Sequence, residues 1–197
     1  MKPPVHPHVL TAARLPLAPV AVVFMLQGTL QGVIIAAALA LLLEITDLLD
    51  GYVARAYGVV TRFGKLFDPF SDAFCRYTLF LGFLGAGIAD LWMVIAIFYR
   101  DATISFLRTV AAARNVVIGA RTSGKVKAIV QGVGTQVIFL SLILGHLGED
   151  AFSSDLQWIP EIPWWTMFVI TLVTLASLVD YLQGNLPVLR AAWNSET

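Results

Sequence analysis

The chain contains 197 residues, of which 58% are hydrophobic and 13% are charged, and its mean hydropathy is +0.79. This composition is too apolar for a soluble domain of this size, so we expect the bilayer to be its solvent. The formal net charge of zero argues against a nucleic-acid partner, and the single cysteine, Cys75, excludes an internal disulfide and a cysteine-based zinc cluster.

Hydrophobic segments divide the chain into six predicted membrane-spanning helices. A helix needs about 20 residues to cross a hydrocarbon core of roughly 30 Å, and lipid offers no partner to unpaired backbone groups. The segments are Arg14–Leu26, Leu30–Arg55, Asp68–Ile88, Leu91–Arg114, Lys125–Leu147 and Pro163–Leu186. The sequence therefore predicts an all-α, polytopic membrane protein with six transmembrane helices, which form one domain over residues 1–197.

The first segment is short and contains two prolines, Pro16 and Pro19. We expect the helix to start upstream and Met1–Ala13 to be a partly interfacial segment, with a re-entrant segment as the alternative. The N-terminus lacks the basic, apolar and small-residue pattern of a removable signal peptide, so the first segment is expected to remain in the mature protein.

The distribution of charged residues indicates the orientation in the membrane. With the N-terminus in the cytoplasm, lysines and arginines lie at the cytoplasmic ends of the segments, as the positive-inside rule requires. The opposite connections contain Asp90, Glu149, Asp150, Asp155 and Glu161 and no basic residue. We therefore expect a multi-pass protein of the inner (plasma) membrane, with both termini and the active site on the cytoplasmic side.

Four aspartates lie close together at the facing ends of the second and third segments. Asp47 and Asp50 are three residues apart and Asp68 and Asp72 are four apart, so each pair shares one helix face. A short connector makes the two segments antiparallel neighbours, and four converging carboxylates would repel one another without cations. Oxygen ligands in a pocket that handles phosphates favour Mg²⁺ or Mn²⁺ over zinc.

The residues between the aspartates suit a nucleotide diphosphate. Gly51 and Gly64 allow a ligand to approach the backbone, Ala54 keeps the helix face open, and Arg55 offers several donors to phosphate. An alternative for each single carboxylate is a helix cap or an ion pair with Arg55, Arg62 or Arg76.

The pattern from Asp47 to Asp72 reads D-x2-D-G-x2-A-R-x8-G-x3-D-x3-D. It resembles, at every fixed position, the signature of the CDP-alcohol phosphotransferase (CDP-alcohol phosphatidyltransferase) family. The resemblance implies that Asp47, Asp50, Asp68 and Asp72 surround two divalent metal ions and that Asp72 is also the general base. It further implies a homodimer and a cytidine nucleotide site lined by Gly51, Ala54, Arg55 and Gly64.

Basic residues outside the signature indicate the acceptor alcohol. We expect Arg100, Arg108, Arg121, Lys125 and Lys127 to contact an acceptor that itself carries phosphate, although positive-inside topology also explains the last three. Several stretches resemble bacterial phosphatidylglycerophosphate synthases, among them Arg100–Arg108 and Gly124–Lys127. This resemblance implies CDP-diacylglycerol and glycerol 3-phosphate as substrates. Those synthases commonly have lysine after the last aspartate, where this chain has Ala73, and Arg76 could supply that charge.

Three alternatives remain open at this point. The acceptor could be inositol phosphate, serine, or phosphatidylglycerol as in a cardiolipin synthase. The chain could instead be a transporter or channel whose intramembrane acids bind cations, although such a protein does not need the spaced glycines and arginine. A non-catalytic scaffold is the third, and the presence of all four aspartates argues against it.

Overall fold

The computed structural model describes residues 7–56, 62–113, 121–151 and 159–194, with side chains for residues 12–47, 67, 70–112, 121–148 and 160–186. Over these ranges the backbone forms six α-helices and one short 3-10 helix, Ile159–Glu161, and contains no strand. The helices are α1 Pro7–Met25, α2 Leu30–Ala56, α3 Arg62–Gly85, α4 Leu91–Ala113, α5 Thr122–Ala151 and α6 Ile162–Asn194. The all-α prediction is confirmed.

Two helices begin more than one turn earlier than the apolar segments suggested. Helix α1 starts at Pro7, so half of the segment expected at the interface is already helical, and neither Pro16 nor Pro19 ends the helix. Helix α3 starts at Arg62 rather than at Asp68, so the signature residues of its first turns lie on a helix and not in the connector. Hydropathy detects only the apolar part of a helix, and charged end turns add no such signal.

Three of the described helices are long and apolar enough to cross a membrane by themselves. The spans are Leu30–Asp47 in α2, Thr122–Gly148 in α5 and Ile162–Leu186 in α6, and α1 contributes a shorter apolar stretch, Ala12–Met25. Many large apolar side chains on these helices are exposed, for example Val133 and Leu140 on α5 and Leu172 on α6. Such a surface is suited to lipid, and the chain is a membrane protein.

The helices pack around one apolar core. Helix α1 lies against α2 and α3, α5 lies against α2 and α6, and α4 lies against α6. The core is filled by side chains such as Phe80, Phe83, Met93, Phe139 and Met167, each at most 1% exposed.

Tight turns connect α1 to α2 and α3 to α4, which makes each pair antiparallel. Gly28 and Gly87 occupy them with φ of 64° and 72°, a conformation that glycine adopts without strain. The first half of α1 and the second half of α2 therefore lie at the same end of the bundle, and the contact between Arg14 and Asp72 places the first half of α3 there as well.

Candidate active site

Arg14 of α1 connects two of the four predicted aspartates. Its Nη1 donates to Asp47 Oδ1 on α2 at 2.9 Å, and its Nη2 lies 3.7 Å from Asp72 Oδ1 on α3. The arginine side chain is 3% exposed, whereas each carboxylate is about one third exposed. Asp47 and Asp72 therefore lie close together, as the sequence predicted, with a buried guanidinium between them and an open side toward the exterior.

Arg76 makes a second ion pair with Asp72 and also approaches a further carboxylate, Glu44. Its Nε and Nη2 lie 3.1 Å and 3.0 Å from Asp72 Oδ1, one helical turn earlier on α3. Its Nη2 also lies 3.9 Å from Glu44 Oε2, one turn before Asp47 on α2. Asp72 therefore forms the ion pair with Arg76 that was one of the alternatives from the sequence. Arg76 also places a positive charge beside the last aspartate of the signature.

The remaining signature residues occupy helical positions next to this cluster. Asp50 follows Asp47 by one turn on α2, and Asp68 precedes Asp72 by one turn on α3. The side chains of six predicted site residues lie outside the described ones: Asp50, Gly51, Ala54, Arg55, Gly64 and Asp68. Their proposed roles therefore remain predictions from the sequence.

The charges of the cluster favour a cation. Its described members are three carboxylates, Glu44, Asp47 and Asp72, and two guanidinium groups, which leaves an excess of negative charge before Asp50 and Asp68 are considered. Among the side chains that the structure describes, no group of three or more His, Cys, Asp or Glu residues is arranged to hold a metal ion. The donor chemistry nevertheless fits a hard divalent ion, because all the acidic ligands are carboxylate oxygens.

Two of the basic residues predicted to bind the acceptor, Arg100 and Lys127, form a buried ion cluster with Asp101. Lys127 Nζ lies 2.8 Å and 3.0 Å from the two Asp101 oxygens, and Arg100 contacts both Asp101 and Ser177. Arg100 is 7% and Lys127 is 8% exposed. Two cations around one carboxylate leave a net positive charge between α4, α5 and α6.

A third basic residue, Arg121, lies immediately before α5 and is paired with the carboxylate of Asp180 on α6. Its Nε and Nη2 donate to both oxygens of Asp180 on α6, at 2.7 Å and 2.8 Å, and Ser123 donates to the same carboxylate. The pKa of Arg121 is raised because Asp180 accepts hydrogen bonds from its charged form. Gly184 makes room for the guanidinium, because a Cβ there would overlap Arg121 Nη1.

Arg108 and Lys125, the other two predicted acceptor-binding residues, are exposed. Arg108 lies over the ring of Tyr181 at 5.6 Å, an arrangement that leaves its donors available. Among the described residues neither side chain forms an ion pair.

The sequence interpretation did not assign a site role to Arg14 or Glu44. The carboxylates that Arg14 contacts depend on the packing of α1 against α2 and α3, which the sequence alone does not give. Glu44 had a detectable signal, since a glutamate within an apolar span is costly and lies one turn before Asp47. Cys75 is buried in the core, and its thiol donates to Arg14 O at 3.5 Å.

Comparison with known proteins identifies similar sequences over most of the chain. A sequence model of the family described as CDP-alcohol phosphatidyltransferase matches residues 4–176. Three similar proteins are each named CDP-diacylglycerol–glycerol-3-phosphate 3-phosphatidyltransferase. The protein from Treponema pallidum is 31% identical over 77% of this chain and 70% of its own length. The protein from Rickettsia bellii is 30% identical over 85% and 90%, and the one from Bacillus subtilis is 29% identical over 78% and 86%.

Proposed function

We propose, because the chain belongs to the CDP-alcohol phosphatidyltransferase family, that it transfers a phosphatidyl group from CDP-diacylglycerol to glycerol 3-phosphate. The chain is an enzyme, a transferase of substituted phosphate groups. The observation that carries the choice of acceptor is its similarity, over about four fifths of the chain, to relatives named for this reaction. The product is phosphatidylglycerol phosphate, a phospholipid precursor, and CMP is released.

The reaction exchanges one phosphate ester bond for another. A hydroxyl oxygen of glycerol 3-phosphate forms a bond to the phosphorus that carries the diacylglycerol, and the bond from this phosphorus to the CMP oxygen breaks. The hydroxyl proton moves to Asp72, and CMP leaves with the electron pair of the broken bond. This step needs alignment of the reactants and stabilisation of charge on the phosphate oxygens.

Asp72 is suited to accept the proton. The hydrogen bond that Asp72 accepts from Arg76 ends on Oδ1, and its shortest ion-pair distances to Arg76 and Arg14 are also to Oδ1. Oδ2 accepts no hydrogen bond from the described side chains and belongs to a carboxylate that is one third exposed. Oδ2 is therefore the atom that we assign as general base.

Asp47, Asp50, Asp68 and Asp72 would hold two divalent ions, Mg²⁺ or Mn²⁺. When bound, these ions neutralise charge on the pyrophosphate and on the leaving CMP. Gly51, Ala54, Arg55 and Gly64 would line the cytidine nucleotide site. What supports these assignments is the signature spacing and the negative excess of the described cluster.

The acceptor phosphate would bind to basic residues at the same mouth of the bundle. Arg108 and Lys125 are exposed and have no carboxylate partner among the described residues, so they are the ones we assign to direct contact. Arg121 is already engaged by Asp180, whereas Arg100 and Lys127 contribute the excess positive charge around Asp101. A phosphate there is favoured by these charges.

In the membrane we place all six helices across the bilayer, with both termini and the active site at the cytoplasmic side of the inner membrane. Helices α3 and α4 contain 24 and 23 residues, which at about 1.5 Å per residue suffices for a core of roughly 30 Å. One substrate has acyl chains in lipid and a nucleotide in water, so the site opens at this interface. The homodimer implied by the family resemblance is part of this proposal.

The test is an acceptor panel with the purified chain in lipid nanodiscs. CDP-diacylglycerol is supplied with glycerol 3-phosphate, inositol phosphate, serine or phosphatidylglycerol, and CMP and lipid products are measured by mass spectrometry with Mg²⁺, Mn²⁺ or EDTA. We expect metal-dependent phosphatidylglycerol phosphate formation. Product from another acceptor alone would contradict the acceptor assignment, and ion flux without CMP release would contradict the enzyme class.

Asp72→Asn examines the general base directly. We expect its kcat to fall about 10²- to 10⁴-fold, the usual contribution of general base catalysis, while nucleotide binding is retained. Asp90→Asn is the matched control, because Asp90 is a carboxylate at the opposite end of the bundle that accepts hydrogen bonds from Trp92 and Trp164. Full activity in Asp72→Asn would remove the proton-transfer role.

A further inference from the structure

Arg76 connects the candidate active site to the helices behind it. Its Nη1 donates to Ala128 O at 3.1 Å and to Gln131 Oε1 at 3.3 Å, both on α5. Gln131 is 1% exposed, and its Nε2 donates to Thr174 Oγ1 on α6 at 3.2 Å. The orientation of the planar guanidinium is therefore determined by α5 and α6, which carry none of the signature aspartates.

The opposite edge of the same guanidinium holds Asp72. Both Nε and Nη2 of Arg76 reach Oδ1, and the nearer nitrogen of Arg14 also approaches Oδ1. A planar group with one nitrogen on α5 and two on Asp72 restricts the rotation of this carboxylate. The hydrogen bond and the shortest ion-pair distances thus fall on one oxygen of Asp72, and the other is available for the proposed metal binding and proton transfer.

Glu44 supports Arg76 from the side of α2. Its Oε2 lies 3.9 Å from Arg76 Nη2, and the carboxylate rests against Gly132 of α5, where an added Cβ would lie 2.9 Å from Oε2. A glutamate in an apolar span is costly to retain, and the proposed reaction gives this residue no role of its own. Its negative charge and its position instead favour one location of the Arg76 guanidinium.

We infer that Arg76 is a positioning residue that orients Asp72 through Oδ1, so that Oδ2 is presented for proton transfer, and that Glu44 acts through Arg76. This inference rests on the proposed role of Asp72 as general base. It is independent of which alcohol is the acceptor. It also gives α5 and α6 an indirect part in catalysis, since Gln131 of α5 accepts a hydrogen bond from the Arg76 guanidinium and donates one to Thr174 of α6.

The test combines kinetics with a double-mutant cycle in nanodiscs, using CMP release with whichever acceptor supports turnover. We expect Arg76→Met to lower kcat about 30- to 100-fold, because a misplaced catalytic group costs on that order, with the KM for CDP-diacylglycerol within about twofold. Arg76→Lys should recover part of this loss, since it retains the charge but not the planar fork.

Glu44→Gln distinguishes positioning from a general effect on the fold. We expect it to lower kcat about two- to tenfold in the wild-type background, the lower part of the usual range for a contacting pair, and to have no further effect in Arg76→Met. The melting temperature in EDTA should show the same non-additivity for the pair, and this readout does not depend on activity.

Several results would overturn the inference. These are a wild-type kcat in Arg76→Met, a kcat loss that only matches the loss of folded protein, and additive effects of the two substitutions. Gln131→Leu provides a second route if Arg76→Met does not fold, and unchanged kcat there would also contradict the inference. If the wild-type chain releases no CMP with any acceptor, the proposed function fails first, and the role of Arg76 fails with it.

Discussion

Replacing Arg14 with methionine should destabilise the protein mainly when divalent ions are absent. Arg14 is 3% exposed and places one positive charge against Asp47 at 2.9 Å and against Asp72 at 3.7 Å. Methionine retains much of the apolar volume and removes the charge, so the two carboxylates lose their shared cation. Divalent ions bound at the same aspartates would supply positive charge in its place.

The magnitude follows from the burial of the partners. Charge pairs at about 4 Å attract by about 4 kcal/mol at an effective dielectric constant near 20, and desolvation of the buried guanidinium offsets much of this. The carboxylates are one third exposed, so we place the net loss at about 2 kcal/mol, below the 3–5 kcal/mol typical of a fully buried pair. For a chain of this length that lowers the melting temperature by about 4–8 °C.

The assay is thermal unfolding in nanodiscs, with EDTA and with saturating Mg²⁺. We expect the full decrease in EDTA and less than half of it in Mg²⁺, because loss of the competing guanidinium should tighten metal binding by about tenfold, or 1.4 kcal/mol. Arg108→Met is the control, since Arg108 is exposed and contacts no carboxylate among the described residues. Equal decreases with and without Mg²⁺ would refute the idea that Arg14 and metal act on the same carboxylates.

Two further substitutions examine the packing and the buried charges. Gly134→Ala should destabilise the protein by about 1–2 kcal/mol, because its Cβ would lie 2.6 Å from the buried Ile170 and overpacking outweighs the gain in helix propensity. Gly145→Ala on the same helix is the control. A Cβ there would have nothing within 4 Å, so this substitution should be neutral or stabilising in the same melting assay. Asp101→Asn should cost about 3 kcal/mol because it leaves two buried cations without an anion. A melting temperature within 2 °C of wild type in Asp101→Asn would contradict this account of the ion cluster.

Helix periodicity alone decides one part of the predicted arrangement. The three-residue spacing of Asp47 and Asp50, and the four-residue spacing of Asp68 and Asp72, set which residues share a face of an α-helix. The short connector predicts that the second and third helices are antiparallel neighbours, but over the described residues each of them packs against α1 rather than closely against the other. Asp47 and Asp72 lie close together in the structure, and the guanidinium of Arg14 contacts both carboxylates.

Helix periodicity does not predict contacts between side chains that are far apart in the sequence. Arg14 is 33 residues from Asp47 in sequence, and Gln131 is 55 residues from Arg76. Arg100 and Lys127 were assigned to an acceptor phosphate on charge alone, and their burial against Asp101 depends on how α4, α5 and α6 pack. The extension of α3 back to Arg62 was missed for a different reason, since a charged helix end resembles a loop when only hydropathy is read.

The sequence by itself determined that the chain is a membrane protein, that it is all-helical, and that it belongs to a family of phosphatidyltransferases, because composition and a long signature at fixed spacing are local properties. Only the tertiary structure decided which charges neutralise which. Arg14 contacts Asp47 and Asp72, and Arg76 contacts Asp72 and Glu44. Asp101 pairs with Arg100 and Lys127, two of the five residues expected to bind the acceptor phosphate. Such pairings depend on distances of a few ångströms between helices, and only the packing of their side chains sets those distances.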